Sequence, residues 1–195
     1  TANNTVDVLN GRYTGSITQT FVNQGVVGST FYVNNTFTEN GVADLTSYFL
    51  GNTGVSTGLG APGSISVTGL GTFPLNGYKI FGVFNVAGTT TFSTSGGVTS
   101  LTGTFSSGNV SLYLDANRDS VTSVGGILNA SIGSDDKQIG SASLIQSSSI
   151  VIANLADTKG SYGVTFSDFS LTDFGKSYWN APDPFHKVFT LSGEN

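Results

Sequence analysis

The chain is predicted to be all-β, an antiparallel two-sheet β-sandwich of jelly-roll type, and three observations predict it. Its apolar residues recur every second position rather than every 3.6. The side chains that carry this rhythm are Val, Ile, Thr, Phe and Tyr, which fit a pleated, half-buried surface. Gly, Asn, Asp and Pro cut the rhythm into short runs, as at Asn40-Gly41, Asn76-Gly77 and Gly96-Gly97.

Taken in order, the first strands run from Arg12 to Val22, Thr30 to Thr38, Asp44 to Leu50 and Gly63 to Val67. Tyr78 to Val86 follows, with apolar residues on both faces, which marks a central strand covered on both sides. Next come Gly88 to Ser93, Val98 to Ser106, Gly108 to Leu114, Ile127 to Gly133, Gly140 to Ile145 and Ser149 to Leu155. Gly160 to Leu171 contains Val164-Thr165-Phe166-Ser167, a clean alternation that predicts one dry and one wet face. Lys187 to Ser192 is the last strand. Short helices are considered only at Val42 to Phe49 and Ser170 to Tyr178. No linker-like stretch divides the 195 residues and no repeat holds register, so residues 1–195 read as one domain, with 1–10 as a donor or edge strand.

Composition narrows the function. Charged residues make up 10% of the chain, against roughly 25% in an average soluble domain, so hydroxyls and amides must wet the surface. Little charge repulsion then holds copies apart, which suits high local concentration or contact with polysaccharide. The seven Lys and Arg are scattered and the net charge is −5, so the basic face that nucleic acid needs is missing. No apolar run is long enough for a membrane-spanning helix. A Cys-free chain that starts at Thr1 without Met reads as a secreted protein trimmed of its leader.

Chemistry-bearing residues are few. The single histidine, His186, would have to serve any Ser-His-carboxylate triad alone, and it reads instead as a loop or strand-edge residue. Two glutamates, Glu39 and Glu194, and ten aspartates offer no pair that sequence selects for glycoside hydrolysis, so an enzyme is not expected. Asp115-Ala116-Asn117-Arg118-Asp119 places oxygens at alternate positions of a tight loop, the donor type hard calcium ions take, and Asp115, Asn117 and Asp119 are the candidate ligands. An EF-type loop would need Gly and a carboxylate where Ser120 and Gly126 stand. A looser site would borrow Asp135 or Asp136 from another loop; the plainer reading is an Asx-rich turn.

Tyr178 and Trp179, near Pro182 and Pro184, are the candidate platform for stacking on sugars, although Trp179 fits equally a plug at the end of the sandwich. Four Asn-x-Ser/Thr sequons start at Asn3, Asn34, Asn109 and Asn129, a number that so Asn- and Thr-rich a chain produces by chance.

Two stretches carry a resemblance. Leu112-Tyr113-Leu114-Asp115-Ala116-Asn117, together with Phe174-Gly175-Lys176-Ser177-Tyr178-Trp179-Asn180-Ala181-Pro182-Asp183-Pro184-Phe185-His186, resembles the flocculation-associated PEP-CTERM proteins of bacteria. The family's Pro-Glu-Pro sorting tail does not occur here. The resemblance implies a secreted, Cys-free β protein associated with exopolysaccharide in flocs and biofilms, without catalytic residues.

The expected function is therefore an extracellular structural or adhesive role in a biofilm or floc matrix. Its partners would be exopolysaccharide and copies of the chain, exchanging a terminal strand that carries Val6 and Val8. The alternative is a non-catalytic carbohydrate-binding module that uses Tyr178, Trp179 and a calcium-loaded Asp115 loop.

Overall fold

The computed structural model describes residues 10–21, 25–27, 30–32, 35–50, 53–55, 63–67, 71–75, 78–95, 98–120, 132–145, 149–154, 159–179 and 189–194. In chain order the elements are β1 (Asn10–Phe21), β2 (Gly25–Val27), β3 (Thr30–Tyr32), β4 (Asn35–Leu50), β5 (Thr53–Val55), β6 (Gly63–Val67) and β7 (Gly71–Leu75). They continue with β8 (Lys79–Ser95), β9 (Val98–Asp115), β10 (Lys137–Leu144), β11 (Ser149–Asn154), β12 (Lys159–Leu171), α1 (Asp173–Tyr178) and β13 (Phe189–Glu194).

Nine of the strands form one sheet, and every pairing in it is antiparallel. From one edge the order is β1, β4, β8, β9, then β10 and β11 set end to end along β9, then β12 and β13, with the short β5 paired to the end of β4. Small hairpins, β2 with β3 and β6 with β7, interrupt the chain between its long strands. The sheet is thus a meander, with no Greek-key crossover among the described strands. The all-β class matches the expectation; nine of the thirteen described strands lie in one open sheet and the other four in two separate hairpins, with a jelly-roll arrangement not among them.

The long strands fuse runs that the sequence divides. Asn40-Gly41 reads as a turn, yet it sits inside β4, where the Phe84 ring of β8 lies over Gly41 in the space a Cβ would take. Gly88 likewise sits inside β8 against the Phe37 ring, opposite a bulge at Ser106-Ser107 of β9. These glycines are packing partners of aromatic rings, which is why a turn reading fails there. Asp44 to Leu50 is strand as its sequence predicts, so of the two short helices considered, Val42 to Phe49 does not form, while Ser170 to Tyr178 contains α1.

Alternation sorts the faces. On β4, Phe37, Glu39 and Gly41 are buried while Thr36, Thr38 and Asn40 are exposed. The dry face continues through Ile80, Phe84 and Val86 of β8, Phe105, Val110 and Leu112 of β9, Ile139 of β10, and Val164 and Phe166 of β12, in one connected hydrophobic cluster. On β8 both Ile80 and Phe81 are fully buried, so this strand is covered on both faces at that end, as its sequence predicts. On β12, Val164 and Phe166 are buried and their neighbours Thr165 and Ser167 are not, as its alternation predicts.

Helix α1 packs on β10. Thr172 caps it, its Oγ1 accepting from the Gly175 amide at 3.0 Å and reaching the Gln138 and Ile139 carbonyls at 2.5 and 3.1 Å. Phe174 is buried, and Gly175 lies so close to the Ile139 carbonyl that no side chain fits between them. Asp168, with φ of 54°, takes up the irregular register between β10 and β12.

Candidate functional site

Strand β9 ends in Asp115, and the chain turns at once through Ala116 to Ser120. Asp115 is fully buried, and its carboxylate organises the turn. Oδ1 accepts from the Asn117 and Arg118 amides at 3.1 and 2.5 Å, and Oδ2 from the Ser120 amide at 2.9 Å. Arg118 takes the left-handed conformation the tight turn requires, with φ of 65°. Lys79, at the start of the neighbouring β8, sets its ammonium 3.9 Å from Asp115 and donates to the Ser120 carbonyl at 2.5 Å.

The second wall of the cluster is the segment 132–136 just before β10. Asp136 Oδ2 accepts from the Ser120 hydroxyl at 2.7 Å and from the Gly133 amide at 2.5 Å, so one carboxylate joins the two loops. Carboxylate oxygens of Asp115, Asp119 and Asp135 all lie within 4.8 Å of one another. A Cβ on Gly133 would stand 2.9 Å from Asp135 Oδ1, 3.6 Å from Asp136 Oδ2 and 3.8 Å from Asp119 Oδ1, so oxygens from both loops surround one point. Burial pushes the Asp136 carboxyl above the usual range; bonds from Ser120 and Gly133 oppose this, and repulsion from Asp115 and Asp135 adds to it.

Asn117, the third ligand the sequence suggests, takes a different part. It is exposed, its Oδ1 accepts from the Asp119 amide at 3.0 Å, and its Nδ2 donates to Asp119 Oδ2 at 3.0 Å. The structure thus brings together Asp115 and Asp119 as the sequence reading expects and adds Asp135 and Asp136, the two residues that reading held in reserve.

A different surface lies on the wet face of β4, β8 and β9. The register aligns Asn40, Asn85 and Asn109 across the three strands, and Thr36, Thr89 and Thr104 in a second row. All six are exposed. Asn85 Nδ2 donates to Asn40 Oδ1 at 2.5 Å, which ties the first two amides of the row together. Thr91 and Thr102 extend the hydroxyl area beyond it. At the foot of this face is a groove of about 400 Å³, walled by Val83, Ser111 and Tyr113 and by Ile132 from the acidic segment. The Tyr113 ring stacks on Phe81, with centroids 5.4 Å apart and planes at 18°. Sequence reasoning missed this face because a Thr/Asn-rich strand becomes a row only once its register is known.

Tyr178 and Trp179 are half-buried and pack on the hydrophobic cluster. Tyr178 meets Tyr78 edge-on at 6.0 Å, their hydroxyls 3.1 Å apart, and Trp179 lies 6.4 Å from Phe169. Both rings thus pack as a plug against the cluster, and Pro182 and Pro184 lie outside the described residues.

His186, Val6, Val8 and the sequons at Asn3, Asn34 and Asn129 lie outside the described residues; Asn109 is exposed. A Gly-x-Ser-x-Gly spacing does occur at Gly54-Val55-Ser56-Thr57-Gly58. Its first two residues belong to β5, and the next described element is strand β6 rather than the helix such a nucleophile elbow opens.

Fold and site define an all-β protein with a polar sheet face and an acidic loop cluster. Comparison with known protein families, with curated proteins and with solved structures returns no match.

Proposed function

We propose that the chain is a non-catalytic structural and adhesive protein of an extracellular matrix, such as that of a biofilm or floc, and that it holds polysaccharide on the wet face of β4, β8 and β9. The observation that supports this is the pair of exposed rows, Asn40-Asn85-Asn109 and Thr36-Thr89-Thr104. Strands lie about 4.8 Å apart, so the rows offer amide and hydroxyl groups at a spacing on the scale of a sugar ring. Each amide both donates and accepts, which suits the hydroxyls of a glycan. Pairing of the three strands holds the amides in register, and the bond between Asn85 and Asn40 fixes two of them, which lowers the ordering cost of binding.

The buried face runs without a break from β4 to β12. A sheet of this length that curls over its own apolar face would make the two-layer sandwich of the sequence reading.

Binding is tested with the full chain by co-sedimentation with cellulose and chitin and by affinity electrophoresis in alginate. Replacement of Asn40, Asn85 and Asn109 by Ala is expected to cut retention on the bound polymer at least about tenfold, while the melting temperature stays put because all three are exposed. Retention that survives the triple replacement would refute the reading, as would a chain that none of the three polymers retains.

A further inference from the structure

We propose that the turn 115–120 and the segment 132–136 together bind one calcium ion through Asp115, Asp119, Asp135 and Asp136. This goes beyond the adhesive reading and stands independently of it.

Four carboxylates gather here, and oxygens of Asp135, Asp136 and Asp119 crowd the space beside Gly133. Lys79 sits at the Asp115 side and is also 3.7 Å from Asp44, Lys137 donates to the Ser134 carbonyl at 2.9 Å, and Arg118 is exposed in the turn. The four carboxylates of the cluster and Asp44 outnumber these three cations.

A second observation points to a ligand rather than to a mere acidic patch. Asp136 is nine-tenths buried, and while its Oδ2 holds the two loops together, its Oδ1 has no hydrogen-bond partner. Asp135 Oδ2 is likewise buried and without a partner. A carboxylate oxygen removed from water without a donor is costly to keep, and a cation held by these carboxylates would offset that cost.

The donor set selects the metal. All four side chains offer hard oxygen, and carboxylates plus completing waters reach the six to eight ligands that calcium takes. Magnesium keeps most of its water and demands a tight octahedron, which suits a site of one or two carboxylates. Zinc takes nitrogen or sulfur donors, and this cluster holds neither.

The full chain, treated with EDTA and dialysed, is titrated with calcium chloride by calorimetry, and its melting temperature is followed in parallel. One ion per chain is expected, with a dissociation constant on the order of 10⁻⁵ to 10⁻⁴ M and a melting temperature that climbs with calcium concentration. Magnesium at the same concentration should produce a much smaller shift. Asp119→Asn and Asp135→Asn, at exposed and half-buried positions, should each weaken calcium binding at least about tenfold while leaving the calcium-free melting temperature unchanged; Asp173→Asn, on α1, should bind as the parent does. Absence of both heat and thermal shift at about 10 mM calcium, well above the extracellular-module range, would overturn the proposal. Parent-like affinity in both cluster variants would overturn it equally.

Discussion

At the scale of single residues, two buried carboxylates behave in opposite ways. Asp115 has no contact with water, yet three backbone amides and the Lys79 ammonium surround it, so its charge is compensated where it lies. Glu39 is 4% exposed on the dry face of β4, between Phe37 and Gly41 along the strand and opposite Val86, and its Oε2 has no partner. Burial pushes its carboxyl up to about 7. A pKa raised in the folded state favours folding below the unfolded value of about 4.5 and loses that advantage as pH rises through about 7. The melting temperature of the calcium-free chain is therefore expected to fall across that window. Asp136 shifts in the same direction, so Glu39→Gln should flatten the profile only in part, and thermal denaturation at pH steps reads the difference. A profile identical in parent and variant would show that Glu39 does not titrate in that range.

At the scale of elements, the six-residue α1 is too short to stand alone and is held by what it touches. Thr172 serves twice, capping the helix and bonding to the Gln138 and Ile139 carbonyls at the β10 bulge. Thr172→Ala should thus cost about 1 to 2 kcal/mol, the upper part of the range for an N-cap, measured by urea denaturation. Gly175→Ala should cost more, because its methyl would collide with the Ile139 backbone rather than with a yielding side chain. Equal costs would mean that α1 can lift away from β10 freely. The acidic cluster follows the same logic of elements: β9 delivers Asp115 to its end, and the segment that leads into β10 carries Asp135 and Asp136.

For the molecule as a whole, the meander leaves β1 and β13 at the two ends of the sheet, each paired on one side only among the described strands. Such edges are templates for another chain unless charge or bulges protect them, and only 10% of the residues here are charged. We expect association through these edges at high concentration, visible as a rise in scattering intensity per mass. Ionic strength should change it little, since few charges stand to be screened. Deletion of residues 1–10, which include Val6 and Val8, should abolish it if that segment is the exchanged strand; a monodisperse parent chain at the highest attainable concentration would rule the association out.

What the sequence determined by itself was local. Period-two alternation is written in each strand, so the all-β class, the double burial of β8 and the alternation of β12 were legible from Tyr78 to Phe84 and from Val164 to Ser167. The spacing of Asp115 and Asp119 marked the turn for the same reason. Tertiary structure decided whatever depends on register between distant strands. Only the pairing of β4, β8 and β9 lines up Asn40, Asn85 and Asn109, and only the return to β10 sets Asp135 and Asp136 against Asp119. A glycine under a Phe ring and a glycine in a turn are the same letter. Which of the two Gly41 is depends on a side chain forty-three positions away, on a strand that local propensity cannot place.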